Sequence, residues 1–374
     1  MSVRILTVCH FFEAHGGGIE RVAGQLCRQF AALGHDAVWA ASDADALPSG
    51  TITPIPLPCI NPTERLTGLP MPIPGWRGLR ALAREVERCD VVVIHDALYV
   101  TSIAARLLAW FKRKPVVLIQ HIAAIAFSSP GLRVMMALAN VVVTRSMLRA
   151  ADRLVFVSDT VRQELLGDPA RRDYKLIFNG VDGTLFHPAD TPPAAGLPPV
   201  RPILFVGRFV DKKGLAVIRS LAALRPDLHF QLVGSGPLKP ADWGLPNVRD
   251  LGPQPQPALA KLYRTADVLL LPSVGEGYPL VIQEAMACGL PVICGRPSDR
   301  ADPVAKAWVM GVAIDLADPE GSARRCAEAI DAPRLDAAAR ASMAAYAAST
   351  YSWTAMAKAV LAEAERGVRS RNRA

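Results

Sequence analysis

The feature that most constrains this chain is an alternation of short β-branched runs with longer stretches of helical periodicity. Residues 3–9, 37–41, 91–95, 116–120 and 154–158 are such runs. Residues 19–33 keep apolar side chains at helical spacing and stop at Gly34. Strands buried on both faces read as unbroken apolar runs, so the pattern predicts parallel strands joined by crossover helices. The segment 44–75 is rich in proline and glycine and is expected to be loop. Another proline-rich run, Pro188 to Pro202, predicts a stiff connector. Beyond it the alternation restarts, with strands at 203–206, 229–233, 267–271 and 292–294 and helices at 214–224 and 279–288. The economical fold class is α/β, with two consecutive doubly wound, Rossmann-like domains. They are expected over 1–188 and 203–350, joined by 189–202, with a last helix at 352–366 packing back on the first.

At 374 residues the chain can bury two cores of ordinary size. Its net charge of +8 favours phosphate-bearing ligands or an anionic membrane face. Aromatic residues make up only 6% and do not interleave with the cations, so no stacking platform for nucleic acid is expected. Seven scattered cysteines with no C-x-x-C pair suggest neither zinc nor a disulfide framework, which fits a reducing cytoplasm. No stretch has the length and apolarity of a secretory signal or a membrane span. The expected location is cytoplasmic, at most peripheral on the inner face of the cytoplasmic membrane.

The densest constellation is Gly275-Glu276-Gly277-Tyr278-Pro279-Leu280, followed by Glu284. Pro279 suits the first position of a helix, which puts Glu276 in the loop before it and Glu284 on it. Free N–H groups at such a helix start attract a diphosphate. Two other signals are weaker. Asp43-Ala44-Asp45 has the spacing of a metal-holding D-x-D, but it opens a loop. The glycines at 16–18 and at Gly234 and Gly236 do not complete G-x-G-x-x-G, because Arg21 and Lys239 occupy the third places. A dinucleotide cofactor is therefore not expected.

The Glu276-x7-Glu284 segment resembles the signature of the family 4 retaining glycosyltransferases, which have the GT-B fold. Other pieces follow in that family's order: Gly16-Gly17-Gly18-Ile19-Glu20-Arg21, Asn179-Gly180-Val181-Asp182, Val206-Gly207-Arg208 with Lys213-Gly214, Val233 to Pro237, and Ala266 to Ser273. After Cys294 the chain departs from the family's Gly-Gly-x-x-Glu-type stretch, reading Gly295-Arg296-Pro297-Ser298-Asp299.

The resemblance implies two domains facing an interdomain cleft, with a nucleotide-diphosphate sugar as substrate and no metal or other cofactor. It implies that Glu284 holds the ribose and Glu276 the hydroxyls of the sugar. Arg208 and Lys213 would stabilise the departing diphosphate, where other enzymes use Mg²⁺. Gly17 and Gly18 would offer backbone N–H groups to the phosphates, and Gly234, Gly236, Gly277, Tyr278, Pro279 and Leu280 would line the donor site. His121 follows the strand 116–120, and the family places a histidine there near the reacting carbon. His95 and Asp96, after the preceding strand, are candidates for the acceptor.

The acceptor would be a saccharide or lipid-linked saccharide, as in surface polysaccharide or glycolipid synthesis. Residues 131–150 combine an apolar body with Arg133, Arg145 and Arg149, and Trp110-Phe111-Lys112-Arg113-Lys114 is a second basic-apolar group. Both are candidates for contact with an anionic membrane, the alternative for 131–150 being a buried helix. The implied reaction retains anomeric configuration by front-face displacement, without a protein nucleophile. Its rivals are a nucleotide-sugar 2-epimerase of the same fold and a non-catalytic nucleotide-sugar-binding protein.

Overall fold

The computed structural model describes residues 2–62, 71–123, 138–167, 170, 172–189, 202–333 and 335–371. The chain divides into two compact units, Met1–Gly180 with Trp353–Ala374, and Val181–Ser352. The second unit begins at Val181, ahead of the proline-rich run, and most of the connector expected at 189–202 lies outside the described residues.

In the first unit the described strands are β1 (Arg4–Val8), β2 (Asp36–Ser42), β3 (Thr53–Leu57), β4 (Val91–His95), β5 (Val116–Gln120), β6 (Arg153–Phe156) and β7 (Lys175–Leu176). They form one parallel sheet in the order β3-β2-β1-β4-β5-β6-β7. Every residue of β4 and β5 is buried, as expected of a parallel sheet covered on both faces. Helix α1 (Gly18–Ala32) packs on β2, while α2 (Trp76–Arg88) and α3 (Val100–Phe111) pack against each other. The last helix, Trp353–Arg371, belongs to this unit and lies against α1, β5 and β6, with Thr354 hydrogen-bonded to Gln29.

The stretch 44–75 departs from its expectation as loop. It holds β3, despite Pro54 and Pro56, and a short antiparallel pair, Cys59–Ile60 with Ile73–Pro74. Proline cannot donate to a ladder, but β3 is the edge of its sheet and needs donors on one side only.

The second unit repeats the design with β8 (Ile203–Val206), β9 (Phe230–Val233), β10 (Val248–Asp250), β11 (Val268–Leu271), β12 (Val292–Gly295) and β13 (Val309–Val312). Their order is β10-β9-β8-β11-β12-β13, again parallel. Both sheets therefore reverse direction beside their first strand. Ligands of open α/β sheets bind where that reversal opens a crevice at the strands' C-terminal ends. The crevices lie between β1 and β4 in one unit and between β8 and β11 in the other.

Candidate functional site

The loops at the β8/β11 crevice carry the charges singled out in the sequence. After β8 come Gly207 and Arg208, a single turn over Asp211–Lys213, and Gly214 at the start of α4 (Leu215–Leu224). After β11 the chain runs through Ser273 and Glu276 to the helix α5 (Leu280–Ala287). The two loops are tied by the Val274 N–H, which donates to the Lys212 carbonyl at 2.9 Å. Lys213 Nζ donates to Glu276 Oε2 at 2.7 Å, with both side chains only 12% exposed. Arg208 is exposed beside them.

A third cation, Lys212, went unremarked in the sequence. Burial lowers its pKa, with Arg208 and Lys213 adding to the effect and Glu276 opposing it. Lys213 and Lys212 thus face one carboxylate, with Arg208 near Lys212. The arrangement can accept a polyanion, because a diphosphate supplies Lys213 with a partner and frees Glu276 to accept hydroxyls.

The glycines here have distinct reasons. Gly214 has φ +75° and a Cβ there would stand 2.0 Å from the Pro272 carbonyl oxygen. Gly234 has φ +149°, and its Cβ would stand 1.8 Å from the Gly207 carbonyl oxygen. Its N–H donates to the Gly252 carbonyl. A Cβ on Gly236 would meet the Phe209 carbonyl oxygen at 2.4 Å. For Gly234 and Gly236 the close approach is between backbone segments. The Gly234 N–H is already committed to a backbone carbonyl, so what the missing side chain provides there is close approach.

Pro279 is the cap of α5 rather than its first residue, with φ −60° and ψ 131°, and the helix starts at Leu280. Glu284 is buried and accepts from the Tyr263 hydroxyl at 3.1 Å. The Tyr278 side chain is buried too, its hydroxyl 2.9 Å from that of Tyr351. Tyr351 and Tyr346 both donate to Asp302 Oδ2, at 2.6 and 2.7 Å. The Tyr278 ring thereby anchors the loop that carries Glu276.

In the first unit each of the three central strands ends in a histidine. His10 follows β1, His95 closes β4 and His121 follows β5. His95 Nδ1 lies 3.0 Å from His121 Nε2. His10 stacks on Tyr99 with ring centroids 3.7 Å apart, and its Nε2 lies 2.9 Å from Glu20 Oε1. Burial holds His121 down at about 3, against the upward pull of Glu20. It also holds His95 well below the usual range, helped by His121 and His10. Both imidazoles are therefore neutral near pH 7.

Asp96 takes a left-handed backbone, φ 59°, which aspartate tolerates better than most residues. Its Oδ1 accepts from the N–H groups of His121 and Ile122, at 2.9 and 3.3 Å, fixing the turn after β5. Its Oδ2 is buried without a hydrogen-bond partner among the described residues. The sequence offered His95 and Asp96 as acceptor contacts. His95 is fully buried, with its Nδ1 against His121 Nε2.

Burial pushes the Asp96 carboxyl up to about 7. A folded-state pKa above the unfolded one adds stability below the unfolded pKa, and that stability is lost as pH rises through the folded value. Asp96→Asn stays neutral throughout. The stability of wild type relative to Asp96→Asn is therefore expected to fall by about 2 kcal/mol between pH 5 and 7.5, measured by urea unfolding at each pH.

At the glycine loop, Gly17 caps α1 and a Cβ on it would stand 2.0 Å from Glu20 Oε2. Gly18 is different: a Cβ there meets nothing within 4 Å. The fold does not require a glycine at position 18. Gly18→Ala is expected to hold or slightly raise the melting temperature, since alanine is the better helix former. If a phosphate rests on this helix start, the same change weakens nucleotide-sugar binding by on the order of tenfold, read by calorimetry.

The D-x-D residues point apart. Asp43 accepts from the Cys59 N–H and Asp45 lies 3.1 Å from His15 Nδ1. Of residues 131–150 the structure describes 138 onward, so Arg133 lies outside the described residues. Leu138, Val141 and Val142 are exposed there, beside Arg145 and Arg149. Leu107, Trp110 and Phe111 of α3 are also exposed, with Lys112 and Arg113 following. Among the described residues no helix is long and apolar enough to cross a membrane.

Comparison with known proteins matches both units to families. Residues 16–184 fit the family model described as Glycosyltransferase Family 4, and residues 201–332 fit that of Glycosyl transferases group 1. The chain belongs to the group 1, family 4 glycosyltransferases. A D-inositol 3-phosphate glycosyltransferase of Mycolicibacterium paratuberculosis is 33% identical over 240 residues, 59% of this chain and 54% of that one. One from Thermobispora bispora is 34% identical over 235 residues, 55% of this chain and 54% of its own length. The chain spans about half the length of the curated relatives it matches.

Among solved structures, sucrose-phosphate synthase from Thermosynechococcus elongatus superposes with a TM-score of 0.69 at 20% identity, covering 98% of this chain and 99% of that one. Anabaena HepE, in complex with UDP and glucose, gives 0.63 at 18% identity, covering 96% and 98%. At such identities the likeness is one of fold, and the fold of this family 4 chain is GT-B.

Lys212, His10, Glu20 and Tyr99 were not singled out as site residues in the sequence. A signal for the histidines was present, because all three sit within two residues of the end of an apolar run. Nothing in the sequence shows that two of them face each other.

Proposed function

We propose that this chain is a retaining glycosyltransferase that moves a hexose-type sugar from a nucleotide-diphosphate donor. The observation that carries the reading is the Lys213–Glu276 pair at the β8/β11 crevice, flanked by Arg208 and Lys212. Among solved structures of the same fold, Anabaena HepE is seen in complex with UDP-glucose.

In this mechanism the departing diphosphate gathers negative charge, and Lys213 and Arg208 stabilise it from fixed positions. Preorganised cations serve here in the place of a metal, so no resident metal is required. Glu276, released from Lys213, orients hydroxyls of the sugar, and Glu284 holds the ribose. His121 contacts the sugar near the reacting carbon, as the family resemblance implies. The leaving phosphate takes the proton of the acceptor hydroxyl on the face from which it departs. The configuration at the anomeric carbon is thereby retained.

A panel of nucleoside diphosphates and their sugars in thermal unfolding tests donor binding, since a ligand that binds only the native state raises the melting temperature. A dose-dependent rise with one nucleotide class supports the reading; no rise with any member contradicts it.

The acceptor is proposed to be a saccharide or lipid-linked saccharide, approached from the inner face of the membrane. The exposed apolar residues Leu107, Trp110, Phe111, Val141 and Val142, with Lys112, Arg113, Arg145 and Arg149, favour contact with an anionic surface. Sedimentation with anionic vesicles at low salt checks this, and equal sedimentation with neutral vesicles contradicts the charge argument.

A further inference from the structure

His95 and His121 end neighbouring strands of the first unit. The register of β4 and β5 sets His95 opposite Ile119, so that the imidazole of His121, just beyond the strand, reaches back over it. His95 Nδ1 and His121 Nε2 are 3.0 Å apart, so one proton lies between them. Two arrangements are open to a pair of neutral rings. Either His95 donates from Nδ1 and its Nε2 is a bare lone pair, or His121 donates from Nε2 and His95 must carry its proton on Nε2.

His95 Nε2 decides between them. It is buried and has no hydrogen-bond partner among the described residues. A proton there would be an orphaned donor, which native interiors avoid more strictly than an idle acceptor. The first arrangement is therefore favoured. His121 then accepts at Nε2 and carries its own proton on Nδ1.

We propose that His95 is a positioning residue that fixes the tautomer of His121, so that His121 presents an Nδ1–H donor rather than a lone pair. The inference deepens the glycosyltransferase reading and rests on it for one point, that a ligand oxygen meets this donor. It makes His121 a hydrogen-bond donor to an oxygen, not a base that removes a proton. Asp96 supports the same geometry from the other side by holding the His121 and Ile122 N–H groups. The imidazole is thus fixed in both position and protonation, as second partners of functional histidines do elsewhere.

The test is ¹⁵N NMR of the histidine-labelled full chain without ligand, which reads tautomers directly from the two ring nitrogens. The chain has seven histidines, and His121→Gln and His95→Gln assign their signals. At pH 7 His121 is expected to show a protonated Nδ1 and a bare Nε2. In His95→Phe, which removes the donor, that pattern is lost to the Nε2–H form or to exchange between the two. In His95→Gln, whose amide N–H can still donate, it is retained. A His121 found protonated on Nε2 in wild type, or unchanged in His95→Phe, overturns the proposal. If His95→Phe does not fold, the wild-type spectrum and His95→Gln still decide. Because no turnover is measured, failure of sugar transfer leaves this result readable on its own.

Discussion

Lys213→Ala is expected to lower sugar transfer by on the order of 10²–10³-fold while the protein remains folded. The rate loss follows from position. Lys213 stands on the turn after β8 and Glu276 on the loop after β11, and their ion pair closes the crevice where the strand order reverses. A cation fixed there stabilises charge on a departing diphosphate without reorganising at the moment of reaction. The neighbouring Lys212 and Arg208 keep some binding, so the donor affinity should fall less than the turnover. Lys213→Arg separates charge from shape, because its planar head fits a phosphate but not the short contact with Glu276. It should recover binding before turnover. Stability falls by about 1–3 kcal/mol, because Glu276 loses its hydrogen-bonded partner while Lys212 remains nearby. Equal turnover in Lys213→Ala and wild type would remove this crevice from the mechanism.

Gly234→Ala is expected to destabilise the second unit by about 3 kcal/mol, close to the loss of a well-packed core side chain. The new Cβ would stand 1.8 Å from the Gly207 carbonyl oxygen, and φ +149° is closed to alanine without strain. The Gly207 carbonyl cannot yield cheaply, since it is backbone at the mouth of the crevice. Urea unfolding of the variant checks the figure. The contrast with Gly18→Ala is informative, because one glycine is required by the fold and the other is free of it. A stable Gly234→Ala that failed to bind a nucleotide would reverse this assignment and point to close approach of the ligand instead.

The parallel sheets were legible because β4 and β5 are buried on both faces and read as unbroken apolar runs. The edge strand β3 was not legible, because its prolines are tolerated only by virtue of the free side that an edge provides. Short strands such as Lys175–Leu176 and Val248–Asp250 are defined by their neighbours, not by a pattern of their own. At the site, spacing identified Glu276 and Lys213 separately. Their direct pairing depends on the Val274 to Lys212 hydrogen bond between loops sixty residues apart in outline, which no local pattern encodes. The same limit applies to the glycines, since a glycine in sequence does not say whether a ligand or another backbone comes close. It applies again to His95, whose burial and contact with His121 no local pattern shows.

The most direct test of the central claim is the anomeric configuration of the product formed from a labelled nucleotide-diphosphate sugar. Purified full-length chain is supplied with the donor that raises its melting temperature and a panel of saccharide and lipid-linked acceptors. The anomeric proton is followed by NMR, with Lys213→Ala as control. The account predicts a transferred sugar of unchanged anomeric configuration, formed by wild type and lost in Lys213→Ala. An inverted product, a 2-epimerised sugar, or tight donor binding with no turnover on any acceptor would contradict it.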